Sequence, residues 1–210
     1  MTNSSNPRVM ITGFQPFDQD TINPSWMAVD ALPAQIEGAN LTKIELPVQW
    51  FTTLTVLEQA IEQQQPDILM LVGLAAGRDK ISLERVGINL CEASIPDNAG
   101  VTLADTPIFP EGPTAYFSTL PYRKMKAALD EAGIPAKYSF TAGAFLCNHV
   151  LYGSLHLAAT RYPQMKVIFV HVPSIPQMAK EGVPVMELET ISKALEICLK
   201  TAVTDWKEHH

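Results

Sequence analysis

The chain reads as an α/β protein, a three-layer α/β/α sandwich around a mostly parallel, mixed central sheet. Apolar runs of strand length alternate along it with amphipathic stretches of helical period, and the strand runs have the near-continuous apolar character of strands covered on both faces. Such alternation builds parallel βαβ units with helices on either side of the sheet. One segment, residues 81 to 92, departs from this with a strict apolar–polar alternation that predicts an exposed or edge strand, and so makes the sheet mixed.

The elements follow in order. RVMIT at 8–12 is the first strand, and a helix over 24–32 comes next, with Pro24 suited to its first turn. LTKIEL at 41–46 and DILMLVG at 67–73 are strands on either side of a helix at 51–64. ISLERVGINLCE is the alternating strand. From 94 to 116 the chain has four prolines, two glycines and little periodicity, which marks a long irregular excursion of the kind that is functional or disordered. A helix over 118–132 stops at Gly133, and KYSFT at 137–141 is a further strand. A helix over 148–160, capped by Asn148, then leads to the strand KVIFVHV at 166–172 and a long helix over 187–205.

At 210 residues the chain suits one domain over 1–210 with a substantial core. A net charge of −7 and the lack of a Lys/Arg cluster argue against nucleic acid as a partner. The stretch MTNSSNPR is polar, and no apolar run approaches the roughly 18 residues of a membrane span, so a cytoplasmic protein with no membrane contact is expected. Cys91, Cys147 and Cys198 are odd in number and far apart, which predicts reduced thiols with no disulfide framework and no zinc site. The terminal His209-His210 pair carries no metal argument, since a tag remnant has the same look.

The residue with the most chemical promise is Cys147, in TAGAFLCNHVLYG, where a small-residue turn hands over to a helix. Free backbone N–H groups at a helix start favour an anion, so a lowered thiol pKa is expected there. His171 stands at the end of the strand VIFVHV, and open α/β sheets place their chemistry at strand carboxyl ends. A base there can take a thiol proton. On residue type alone, an isolated cysteine is a small buried hydrophobe, Glu84 is a solvated strand residue, and Phe14 and Phe17 belong to the core. His149 and His156 read as packing or surface residues without a thiol or carboxylate partner, and Cys91 and Cys198 as structural.

Several blocks together change that weighting. TGFQPFD with INPSW, VGLAAGR, LERVGIN, IPDNAG, GPTAYFSTLP, AGIPA, TAGAFLCNHVLYG and FVHVP occur in an order and density that resembles the pyroglutamyl peptidase I, or pyrrolidone-carboxylate peptidase, family of cysteine peptidases, from about residue 9 to 200. The resemblance implies an α/β/α enzyme that removes an amino-terminal pyroglutamyl residue from peptides, commonly as a cytosolic homotetramer and without metal or organic cofactor. By position it implies Cys147 as nucleophile, His171 as general base and Glu84 as the acid that orients the imidazole. Phe14, Phe17, Ile95, Phe145 and Leu146 then line an apolar lactam pocket, with the ring sandwiched between Phe side chains. Backbone N–H groups near Cys147, with Arg85, are the expected oxyanion stabilisers.

This chain departs from the family pattern where Leu74 replaces a usual glutamine, Ser94 replaces a usual arginine, and Asp18-Gln19 replaces a glycine pair. Leu74 and Ser94 predict weaker holding of the lactam or oxyanion, and Asp18-Gln19 a changed loop conformation, since glycine alone reaches positive φ cheaply. They leave two alternatives to a pyroglutamyl peptidase in view: a thiol amidase for another small cyclic or acyl amide, and a non-catalytic pocket-binding homologue.

Overall fold

The computed structural model describes residues 6–210; residues 1–5, most of the polar amino-terminal stretch, lie outside the described residues. A seven-stranded sheet runs in the order β2-β3-β1-β4-β9-β5-β8. Its strands are β1 Val9–Phe14, β2 Gln35–Ile36, β3 Ala39–Leu46, β4 Ile68–Leu74, β5 Ile81–Glu84, β8 Ala136–Ser139 and β9 Lys166–Val172. β1 pairs in parallel with β3 and β4, β4 with β9, and β5 with β8, while β5 runs antiparallel to β9 and β2 to β3. The mostly parallel, mixed sheet expected from the alternation is what the chain forms.

Side chains alternate across each strand and fill two separate cores. On one face Val9, Met70, Val72 and Val170 meet α1 (Pro24–Asp30), α3 (Tyr122–Glu131) and α5 (Leu188–His209) through Val29, Met125, Leu129 and Leu195. On the other face Met10, Leu69, Leu71 and Phe169 meet α2 (Trp50–Gln64) and α4 (Leu146–Thr160) through Leu57, Ile61, Leu151 and Leu155. This is the three-layer sandwich. Pro24 occupies the first turn of α1, where Asn23 accepts from the Ser25 N–H, and Gly133 at φ +69° follows the end of α3. No helix among the described residues is long and apolar enough to cross a membrane.

Three local expectations are corrected. Residues 81–92 do not form one exposed strand: β5 is buried throughout between β9 and β8, and after Arg85 the chain leaves the sheet to pair Val86–Ile88 (β6) with Ala115–Phe117 (β7). Its alternation reflects two different faces of buried structure rather than water on one side. The helix predicted from 118 begins at Tyr122, because Pro121 disfavours helical geometry before it and Thr119 donates to the Val167 carbonyl at 2.9 Å. Asn148 is not a cap. α4 starts at Leu146, and the Asn148 side chain turns inward to accept from the Ile88 N–H at 2.9 Å and donate to the Ile88 and Leu90 carbonyls at 2.9 and 3.0 Å.

The excursion at 94–116 is folded down by specific bonds. Asn89 Oδ1 accepts from the Ile108 and Phe109 N–H groups, and Cys91 and Thr106 exchange backbone bonds. Asp97 caps a helix distant in sequence: Oδ2 accepts from Trp50 N–H at 2.7 Å, at the start of α2, where Gln49 supplies no side-chain cap.

Candidate active site

Strand register brings together two of the three expected side chains, His171 and Glu84. Gly73 on β4 is aligned with His171 on β9, so both face the α4 side of the sheet with Leu71 and Phe169. His171 lies opposite Ser82 on the antiparallel β5, and Glu84 is its diagonal neighbour two residues on, within reach of a long side chain. His171 Nδ1 and Glu84 Oε1 are 2.7 Å apart, with both residues buried. β5 runs against β9, so Glu84 ends in the sheet interior rather than at its rim. That buries a carboxylate whose alternating sequence context suggested water.

Cys147, on the first turn of α4, approaches the same face. A Cβ built on Gly73 would stand 2.9 Å from Cys147 Sγ and 2.6 Å from Phe169 Cζ. Glycine is required here because any side chain would fill the space the sulfur occupies. The Phe169 and His171 rings stand 4.7 Å apart on this face. Cys147 as a residue is half-buried, but its sulfur points inward.

The electrostatics correct one expectation. Burial, reinforced by the Glu84 charge, pushes the Cys147 thiol up to about 12, against smaller opposing pulls from Arg78 and the residue's own backbone N–H. Desolvation therefore outweighs the helix start, and the resting group is a thiol rather than a thiolate. Burial also lowers His171, with Glu84 resisting through its hydrogen bond and charge and Arg78 adding to the lowering. The result is a neutral imidazole ready to receive a proton. Because the Glu84 carboxylate only accepts, Nδ1 carries the hydrogen and Nε2 presents the lone pair.

Arg85 is also corrected. Its guanidinium carbon sits 3.3 Å from the centroid of the Tyr122 ring, and Tyr122 packs on the opposite core, away from Cys147. Neighbours on a strand point to opposite faces, so Glu84 and Arg85 cannot serve one site. The arginine that reaches the site is Arg78, missed in the sequence: Nη1 donates to Glu84 Oε1 at 2.6 Å and to Ser139 Oγ at 3.3 Å, and Nη2 donates to the Thr141 carbonyl at 3.1 Å. Its only sequence signal was its place in VGLAAGR.

A cavity of about 110 Å³ opens beside the thiol, lined by Phe14, Phe17, Val48, Leu74, Phe145 and Leu146 together with Ile22, Asp20, Asn23 and Cys147. Four of the five expected pocket residues line it. Ile95 does not: half of its surface is exposed, outside the lining. The rings of Phe17 and Phe145 lie 5.3 Å apart, whereas a flat ring held between them would need about 7 Å, two contacts of about 3.5 Å. A sandwich between those two particular rings is thus closed in this geometry. The Phe17 loop is held by Asn98, which donates to the Pro16 carbonyl at 2.9 Å. Leu74 brings an aliphatic side chain to the lining, and Ser94 is exposed.

The remaining histidines have partners. His149 does have a thiol neighbour, contrary to expectation, with Cys91 Sγ 3.4 Å from Nδ1. His156 stacks on Phe109 at 4.2 Å and lies 3.1 Å from the Tyr116 hydroxyl.

Comparison with known proteins finds relatives along nearly the whole chain. The family model for pyroglutamyl peptidase covers residues 7–205. Pyrrolidone-carboxylate peptidase 1 of Photorhabdus laumondii is 45% identical over 203 residues, spanning 93% of this chain and 92% of its own length. The Thermococcus onnurineus pyrrolidone-carboxylate peptidase is 45% identical over 197 residues, spanning 93% of this chain and 98% of its own. Among solved structures, pyroglutamyl peptidase I from Bacillus amyloliquefaciens superposes with a TM-score of 0.91 at 40% identity, covering 94% of this chain and 97% of that one.

Proposed function

The chain belongs to the pyroglutamyl peptidase family, and from that premise we propose that Cys147, His171 and Glu84 carry out its hydrolysis as nucleophile, general base and orienting acid. It is a cysteine-type peptidase that cleaves the amide bond after an amino-terminal pyroglutamyl residue. The observation that carries the residue assignment is the 2.7 Å His171–Glu84 contact on the sheet face where Cys147 Sγ packs against Gly73.

In this reading Cys147 Sγ attacks the pyroglutamyl carbonyl as its proton passes to His171 Nε2. Glu84 stabilises the imidazolium through Nδ1–H. Backbone N–H groups at the start of α4, near Leu146 and Cys147, receive the oxyanion. The C–N bond breaks, the amine leaves with the proton from His171, and a thioester remains. Water attacks it, giving a proton to His171 that returns to the sulfur as pyroglutamate departs.

The neutral resting pair supports general-base attack over a preformed thiolate. The largely apolar lining, with Phe14, Phe17, Phe145 and Leu146, suits a neutral lactam. We extend the reading to a single peptidase domain over 1–210, cytoplasmic and homotetrameric. The continuous sheet supports the first, and three free cysteines suit a reducing compartment. Light scattering of the purified protein checks the assembly.

Release of fluorophore from a pyroglutamyl amide, absent in Cys147→Ala, is the expected result. A wild type with no such release, or with equal kcat/KM on prolyl and acetyl amides, would reject the assignment in favour of inactivity or of a broader thiol amidase.

A further inference from the structure

We infer that Arg78 is a positioning residue for this hydrolysis, holding Glu84 in the orientation that serves His171 and tying it to the loop that launches Cys147. The inference rests on the Cys147–His171–Glu84 reading.

Arg78 reaches the site because β4 is followed by a tight turn. Ala75 N–H donates to the Val172 carbonyl at 2.9 Å, Arg78 N–H donates back to the Ala75 carbonyl at 3.1 Å, and Gly77 at φ +86° supplies the left-handed step between them. The turn is therefore anchored to the end of the strand that carries His171. From it the guanidinium fork works in two directions. Nη1 holds Glu84 Oε1, while Nη2 holds the Thr141 carbonyl, six residues before the nucleophile at the head of the loop into α4. The Thr141 side chain in turn accepts from Gly143 N–H at 3.1 Å within that loop.

Arg78 and His171 converge on the same carboxylate oxygen. Oε1 receives Arg78 at 2.6 Å and faces His171 Nδ1 at 2.7 Å, whereas the buried Oε2 has no hydrogen-bond partner among the described residues. The guanidinium thus fixes which oxygen faces the imidazole and draws off part of its negative charge. The ion pair is nearly enclosed, with the Arg78 side chain 22% exposed and that of Glu84 fully buried, so water screens it little.

The sign of the effect on His171 follows from its neighbours. The charged and titratable groups around it are Glu84 from β5, Arg78 from the β4–β5 turn and Cys147 from α4; β4 offers only Gly73, and β8 the Ser139 hydroxyl. Removing Arg78 leaves the full Glu84 charge on the imidazole and raises its affinity for a proton. The base must be neutral to act, so the acid limb of kcat/KM moves to higher pH.

The test compares wild type, Arg78→Ala and Arg78→Lys across pH on a pyroglutamyl amide, with thermal melting as the folding check. The expected result for Arg78→Ala is a drop in kcat of about 10- to 100-fold, less than the roughly 100- to 10,000-fold that a positioned general base contributes, with KM changed less than about threefold and the acid limb raised. Arg78→Lys keeps the charge but not the two-ended fork, so its limb stays near wild type while kcat falls about 10-fold. An unchanged kcat in Arg78→Ala, or a loss with an unmoved limb, would overturn the inference. If Arg78→Ala does not fold, a wild-type kcat in Arg78→Lys overturns it. Alkylation of Cys147 by iodoacetamide against pH needs no substrate: its profile shifts to higher pH in Arg78→Ala, because Arg78 lowers the Cys147 thiol. That arm separates failure of the Arg78 role from failure of the peptidase reading.

Discussion

Cys147 and His149 stand two residues apart on α4, and each belongs to a different thiol–imidazole neighbourhood. Cys147 shares the sheet face of His171, with Glu84 and Arg78 beyond the ring and the cavity beside the sulfur. His149 meets Cys91 at 3.4 Å beneath the Trp50 ring, with both residues buried. Burial pushes the two thiols the same way, Cys147 to about 12 and Cys91 to about 11, and lowers both imidazoles. What separates the pairs is the presence of two charges, Glu84 and Arg78, each of which opposes the effect of burial at one group of the first pair and adds to it at the other. Glu84 opposes the lowering of His171 and Arg78 opposes the raising of Cys147, whereas desolvation alone sets Cys91 and His149. A thiol near an imidazole is thus a packing contact until a third, charged group can stabilise the ion pair in the transition state and a cavity admits substrate.

The most severe test of this contrast removes each of the two sulfurs in turn. Cys147→Ala should abolish release from a pyroglutamyl amide by more than about 1,000-fold, while Cys91→Ala stays within about threefold. Equal losses in kcat would erase the distinction.

Next comes the third group. Glu84→Gln keeps the shape but removes the charge that favours imidazolium, and should lower kcat by about 100- to 10,000-fold at neutral pH. Gly73→Ala probes geometry, since its methyl would press on both Sγ and the Phe169 ring; a fall in kcat of about 10- to 100-fold is expected with little change in KM. Activity near wild type in either variant would mean that the charge or the close approach is dispensable.

The smallest effect belongs to the second pair and appears in stability. Burial lowers His149 to about 4, below the unfolded value near 6.5, so the unfolded chain binds the proton first. Stability is fully present above about pH 6.5 and is lost as pH falls through the folded value, by up to about 3 kcal/mol. His149→Gln keeps an acceptor for the Cys91 thiol without titrating, so its melting temperature should fall less between pH 6.5 and 4. A parallel decline would remove His149 as the source, leaving His171, which burial also lowers.

Much of the site was legible in one dimension. A cysteine after a small-residue turn and a histidine closing an apolar strand are marked by local pattern, while the glutamate of LERVGIN stands out only through the family resemblance. Arg85 was misread because it is next to Glu84 in sequence, although strand geometry sends the two to opposite faces. Arg78, Asp97 and Asn148 were not legible as supports. Asp97 caps a helix that starts at Trp50, and Asn148 secures a segment around Ile88, so each role exists only through a partner brought close by folding.

The sequence by itself determined the order of strands and helices and the mixed sheet, because these follow from local periodicity, and its family resemblance singled out Cys147, His171 and Glu84 as candidates. Tertiary structure decided that Glu84 is buried, that the resting Cys147 is a thiol and that Arg78 rather than Arg85 meets the acid. Desolvation and charge pairing depend on which distant groups are packed together, and only the completed fold sets those distances.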